Sequence, residues 1–139
     1  MSEMTTYDRY RLGQAYVDAG DPRSAARVLE PAVEADATSA ALWLVLAQAY
    51  FASSRLRPAQ AAFERVVEVD PTDHYARFGL GRTLERQSRH AEALAQYRIA
   101  FALSPEADYA DALRRVEARL AAGAVEESAS AAGRRATSV

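Results

Sequence analysis

The side chains able to do acid–base or metal chemistry are few, and their spacing does not assemble a site. His74 and His90 are the two histidines of the chain. Neither is followed by a second histidine at metal-ligand spacing, and neither has an Asp or Glu on the same local helical face to orient it. Both are expected to be exposed turn residues. Glu64 and Glu68 lie one helical turn apart, an arrangement that suits a solvated face better than a paired acid and base. The absence of cysteine removes disulfides, thiolate metal sites and thiol nucleophiles from consideration. No glycine-rich phosphate loop or nucleophile motif is present. The expectation is therefore a protein that is not an enzyme, with no metal site and no cofactor.

Binding chemistry is better represented. Tyr7, Tyr10, Gln14 and Val17 step by three or four residues, as do Leu44, Gln48 and Phe51. On a helix each set forms one stripe of aromatic, aliphatic and amide groups, separate from the Leu12 and Tyr16 stripe that packs inward. Helices must then carry these stripes, and the signals for them recur. Thr5 or Thr6 can cap the first, with Asp8 in its first turn complementing the helix dipole. Gly20-Asp21-Pro22 reads as a left-handed exit, an N-cap and a first helical position, starting a second helix that ends near residue 35. Pro31 inside that helix removes a backbone donor, so a kink is expected there. Further helices are expected over 40–52, 58–69, 75–87 and 90–103, with the turn Ser53-Ser54-Arg55 joining the middle pair. The segment 108–122 is amphipathic, with Leu113, Val116 and Leu120 on its apolar side, and Gly123 is expected to end it.

A repeat underlies this pattern. Trp43, Leu46, Ala47, Tyr50, Ala59, Phe63 and Asp70-Pro71 fall on the slots of the tetratricopeptide-repeat (TPR) pattern, whose period is 34 residues. Displaced upstream by one period, Leu12, Gly13, Tyr16, Ala25 and Asp36-Ala37 occupy those slots. Displaced downstream, Leu80, Gly81, Leu84, Ala93, Tyr97, Ala100 and Ser104-Pro105 do the same. The chain resembles three consecutive TPR repeats over residues 6–39, 40–73 and 74–107, preceded by a short leader, 1–5. The resemblance implies an all-α fold: a right-handed α-solenoid of helix-turn-helix repeats, with 108–122 as a C-terminal capping helix. Gly13, Ala47 and Gly81 share the slot where the two helices of a repeat approach most closely, and Gly81→Leu is expected to disrupt the third repeat. From 123 to 139 the chain has hardly a large apolar residue, so a disordered tail is expected. Two short patterns in it, Arg134-Arg135-Ala136-Thr137 and Thr137-Ser138-Val139, resemble a basophilic kinase site and a PDZ ligand. Both are short enough to arise by chance.

The resemblance also implies where function sits. The first helices of TPR repeats line a concave groove that holds partner segments. Carried onto this chain, the groove-lining slots hold Tyr7, Tyr10, Gln14 and Val17, then Leu44, Gln48 and Phe51, then Tyr75, Phe78, Arg82 and Glu85. Aromatics would seat an apolar anchor, the amides would bond a peptide backbone, and Arg82 would pair with a carboxylate. The cationic clamp with which some TPR domains hold chaperone C-termini is missing, since its slots here hold Tyr10, Gln14, Val45, Tyr75 and Gly79. The reading is an adaptor or scaffold that binds a peptide segment of a partner protein. Two other roles stay open: a dedicated chaperone for an exported or assembling subunit, and a self-associating module whose uncapped first repeat, with Met4 and Tyr7, meets a second copy as a homodimer.

Composition narrows the partners. Over 139 residues the net charge is −2, with a pI near 5.7, so no positive field draws the chain to nucleic acid or to anionic membrane surfaces. No apolar run approaches the roughly 18 residues of a membrane span, and the first residues lack a basic region followed by an apolar run. A cytoplasmic protein is expected. All 17 basic residues are Arg, Lys and Asn are absent, and Ala is abundant, a bias matching a GC-rich bacterial genome.

Overall fold

The computed structural model describes residues 3–137. These form seven helices and no strand: α1 (Thr6–Asp18), α2 (Pro22–Ala35), α3 (Ala40–Ala52), α4 (Leu56–Val69), α5 (His74–Arg86), α6 (His90–Leu103) and α7 (Ala107–Thr137). Each helix packs on the next, and α3 also touches α1 and α5, so the odd-numbered helices lie side by side. The helix pairs stack as an α-solenoid. Its central member explains its own composition: α3 reads AALWLVLAQAYFA, apolar nearly all round, because helices surround it on several sides.

The turns inside the pairs repeat at the sequence period. Gly20, Ser54 and Ser88 all have positive φ, at 77°, 60° and 61°. In each, the following N–H reaches back to close the helix, from Asp21 to the Tyr16 carbonyl (2.8 Å), Arg55 to Tyr50 (2.8 Å) and Arg89 to Leu84 (3.0 Å). This is the Schellman closure, and only the first copy uses the residue that adopts it without strain. The turns between pairs also recur: Asp36 accepts from the Thr38 hydroxyl at 2.9 Å, and Asp70 from the Thr72 hydroxyl at 2.8 Å. Ser39 and Asp73 then cap α3 and α5. Thr5 caps α1 through a reciprocal box with Asp8, and those bonds hold the Asp8 carboxyl below its usual range.

Close approach within the pairs depends on missing side chains. A Cβ on Gly13 would lie 2.6 Å from Leu29, and one on Gly81 would lie 2.5 Å from the Tyr97 ring. Leu29 and Tyr97 are fully buried as a result. Burying a side chain of this size contributes about 1.5–3 kcal/mol, which offsets the roughly 1 kcal/mol that Gly costs a helix. The first joint between pairs is held differently. The Trp43 indole N–H donates to the Ala37 carbonyl (2.7 Å), Arg65 donates to the same oxygen (3.2 Å), and the Arg65 guanidinium lies 5.5 Å from the indole.

Three expectations are corrected. The helix expected over 58–69 begins two residues earlier, at Leu56, with Arg55 at the N-cap position and no side-chain cap. The two histidines are half-buried rather than exposed; His74 Nδ1 lies 2.8 Å from the Tyr109 hydroxyl, and Arg119 Nε donates to His90 Nε2 at 3.0 Å. Both partners lie on α7, which sequence spacing could not bring near. Finally, the expected disordered tail is helix: α7 does not stop at Gly123 but continues to Thr137. Poverty in large apolar residues prevents packing, but Ala, Glu and Arg favour the helix locally whether or not it packs. The Arg134-Arg135-Ala136-Thr137 pattern occupies the last turn of α7, while Thr137-Ser138-Val139 extends outside the described residues. Pro31 lies on the exposed side of α2, which runs through it to Ala35.

Candidate peptide-binding groove

The period that sets the turns also sets rows across the odd-numbered helices. Residues 34 apart occupy matching turns, so Tyr10, Leu44 and Phe78 form one row, Gln14, Gln48 and Arg82 a second, and Val17, Phe51 and Glu85 a third. The second row, with Phe78 of the first and Val17 and Phe51 of the third, frames a cleft of about 270 Å³. Of the residues expected in the groove, Gln14, Gln48, Phe51, Tyr75, Phe78 and Arg82 line this one cleft, as does Val17. The structure separates the others from it. Tyr10 and Leu44 are partly buried against the hydrophobic core, and Tyr7 stands 65% exposed outside the cleft.

Three lining residues were not expected: Asp18, Phe63 and Gly79. Phe63 belongs to α4, a second helix, and reaches the cleft because Gly79 has no side chain; a Cβ there would collide with the Phe63 ring. The signal was Gly79 itself, an unforced glycine inside a helix. Asp18 ends α1 beside Val17, four residues after Gln14.

The floor is aromatic and its polar groups are held in place. Gln48 Nε2 donates to the Tyr75 hydroxyl at 3.1 Å, which orients the amide across the cleft. Phe78 packs on Tyr109 and Tyr97, with ring centroids 4.7 and 5.6 Å apart, so the third pair and α7 brace the cleft wall. Arg82 lies 4.5 Å from the Phe51 centroid and 5.7 Å from that of Phe78. Arg86, one turn along, lies 4.8 Å from the same Phe51 ring. Glu85, also expected in the groove, lies outside this cleft and borders a neighbouring depression with Phe51 and Arg82. It accepts from Arg115 at 3.0 and 2.7 Å and from the Tyr97 hydroxyl at 2.6 Å. The Arg115 bonds hold its carboxyl below the usual range, while burial pushes the Tyr97 hydroxyl up. Nothing in this arrangement is a nucleophile beside a base. It offers an apolar seat, amide donors and acceptors, and guanidinium groups.

Two sequence models, both described as tetratricopeptide repeat, match the chain over residues 16–78 and 62–95. The chain belongs to the tetratricopeptide-repeat family. Solved structures share its fold at low identity. The first TPR domain of Spaghetti (RPAP3), bound to the HSP90 peptide SRMEEVD, superposes with a TM-score of 0.81 at 20% identity, covering 87% of this chain and 97% of that one. A crystal structure of MamA gives 0.79 at 23% identity, over 81% of this chain and 67% of that one. The Arabidopsis OM64 TPR domain gives 0.77 at 20% identity, over 80% and 93%. No curated protein matches the sequence. Among the described residues no helix of this TPR chain is long and apolar enough to cross a membrane.

Proposed function

We propose that this TPR chain is a non-enzymatic interaction module that holds a peptide segment of a partner protein in the cleft formed by α1, α3 and α5. The observation that carries the reading is the convergence of Gln14, Gln48, Phe51, Tyr75, Phe78 and Arg82 on one concave aromatic space. Such a space suits an apolar anchor side chain, with Gln48 bonding the peptide backbone beside it. The five clamp slots carry no Lys, Arg or Asn: they hold Tyr10, Gln14, Val45, Tyr75 and Gly79. The HSP90 peptide held by the RPAP3 domain is therefore no guide to the ligand here.

The test is selection of peptides from a displayed random library on the full chain, followed by titration against Gln48→Ala/Tyr75→Ala. Both residues border the cleft and neither is fully buried, so the variant should keep its melting temperature. Selected peptides should bind the variant at least about tenfold more weakly, the loss of one good polar contact and part of an aromatic seat. Equal binding to both proteins would move the site elsewhere.

A second reading has its own observation. Met4 and Tyr7, neighbours at the start of α1, are 45% and 65% exposed, which is apolar surface suited to a second copy. It predicts a mass that rises with concentration and falls back in Tyr7→Glu; a mass that Tyr7→Glu leaves unchanged would dismiss it.

A further inference from the structure

Charge in the cleft is unevenly placed. Arg82 and Arg86 lie one turn apart on α5, both against the Phe51 ring at 4.5 and 4.8 Å. Among the described residues neither has a carboxylate within ion-pair distance. The nearest acid along the helix, Glu85, is already committed to Arg115 and Tyr97. A second depression beside the first is bordered by Phe51, Arg82, Glu85, Arg86 and Arg115, three guanidinium groups to one carboxylate. Like charges one turn apart on a helix repel by a few tenths of a kcal/mol. Contact with the ring face holds each cation in position while leaving its N–H donors for another partner. The one acid lining the cleft, Asp18, lies on α1, at the opposite side from α5. In a chain of net charge −2, two arginines held on an aromatic face without an acid are a local reversal of the overall sign.

We propose that the cleft's occupant is an acidic segment of a partner protein, in which an apolar side chain sits on Phe51, Phe63 and Phe78 and the carboxylates of neighbouring Asp or Glu residues pair with Arg82 and Arg86. The segment lies with its acidic end toward α5 and α7, away from Asp18. This inference rests on the groove reading above and adds the chemistry and direction of the ligand. Two carboxylates are called for because the cations are two, on one helix face, with bidentate forks that a single carboxylate does not satisfy together. The arginines are distinct in position from the five empty clamp slots. Specificity follows from repulsion as well as attraction, since a basic segment would meet two unneutralised guanidinium groups.

The experiment uses the full chain and fluorescein-labelled synthetic peptides of about twelve residues, each with one central Phe or Leu. In three series the positions after the anchor are Glu, Gln or Lys. The Glu series should bind about tenfold or more tightly than the Gln series, weaken as salt rises and exceed the Lys series further. Arg82→Gln and Arg86→Gln should each cost the Glu series several-fold more than they cost the Gln series; equal losses in the two series would overturn the carboxylate pairing. Both side chains are exposed, so thermal melts should show the variants folded. Equal affinity for Glu and Gln peptides, with loss in Gln48→Ala/Tyr75→Ala, would overturn the acidic ligand while leaving the groove reading standing. No binding by any series would overturn both. A mass that rises with concentration and falls on Glu126→Arg/Glu127→Arg would overturn the partner segment in favour of a second copy's own α7, which carries Val125 beside those two acids.

Discussion

From 107 to 120, α7 buries Tyr109, Ala112 and Val116 against the third helix pair and receives both histidines of the chain, His74 at Tyr109 and His90 at Arg119. From 121 to 136 the same helix has no buried side chain, and a Cβ on Gly123 or Gly133 would meet nothing within 4 Å. Buried packing stabilises the first half, whereas the second half buries no side chain and draws on the helix preference of its Ala, Glu and Arg residues. Isolated helices of that length are marginal in water, so the projecting half should open at far lower free energy than the docked half. One element thus contains two stabilities, and its helical state alone does not say which is which.

Substitutions matched across the two halves should expose this difference most strongly. Val116→Asp places a charge where the side chain is 1% exposed, while Val125→Asp alters one that is 69% exposed. The first should lower stability by about 3–5 kcal/mol and the second by less than about 0.5 kcal/mol, as measured by urea denaturation. Similar losses would mean that the projecting half is packed after all.

Glycines sharpen the same contrast at a smaller scale. In Gly81→Ala the new methyl meets the Tyr97 ring, so this helix-favouring change should destabilise by about 1–3 kcal/mol. Gly133→Ala has open space and should raise helicity of the tail by up to about 1 kcal/mol locally. Circular dichroism and amide exchange would report it without a change in the global melting temperature.

The smallest effect concerns pH. The Arg115 guanidinium bonded to Glu85 holds its carboxyl below the usual carboxylate range. Its contribution to docking of α7 is therefore present above that range and lost as pH falls through its depressed folded value. Glu85→Gln should lower stability slightly at neutral pH, leave the most acid pH least affected and so flatten the acid limb; an unchanged acid limb would mean that the Arg115 pair does not couple α7 to α5.

The contrast between halves also marks what a sequence shows. Gly13 and Gly81 could be assigned to close approaches, and the rows through Gln14, Gln48 and Arg82 could be drawn, because a period carries each inference from one pair to the next. The candidate cleft was readable for the same reason, down to Phe51 and Phe78. Phe63 was missed because it enters from a second helix through the space left by Gly79. The contacts of α7 with His74 and His90 have no repeat mate, so nothing in the period could supply them. Its continuation past Gly123 was misread because composition measures the ability to pack, whereas a helix of Ala, Glu and Arg forms by local preference. Tyr10 and Leu44 share a row with Phe78, yet only Phe78 lines the cleft, so the period places residues in rows without saying which members of a row the cleft takes in.

The bond from the Trp43 indole to the Ala37 carbonyl has a practical consequence for observing the molecule. Trp43 is the single tryptophan, and it is absent from the cleft lining. Its fluorescence should therefore follow the joint between the first two helix pairs and stay nearly silent when the cleft fills. An indole introduced on a ligand would then report occupancy while Trp43 reports the integrity of the scaffold, two signals separable in one titration.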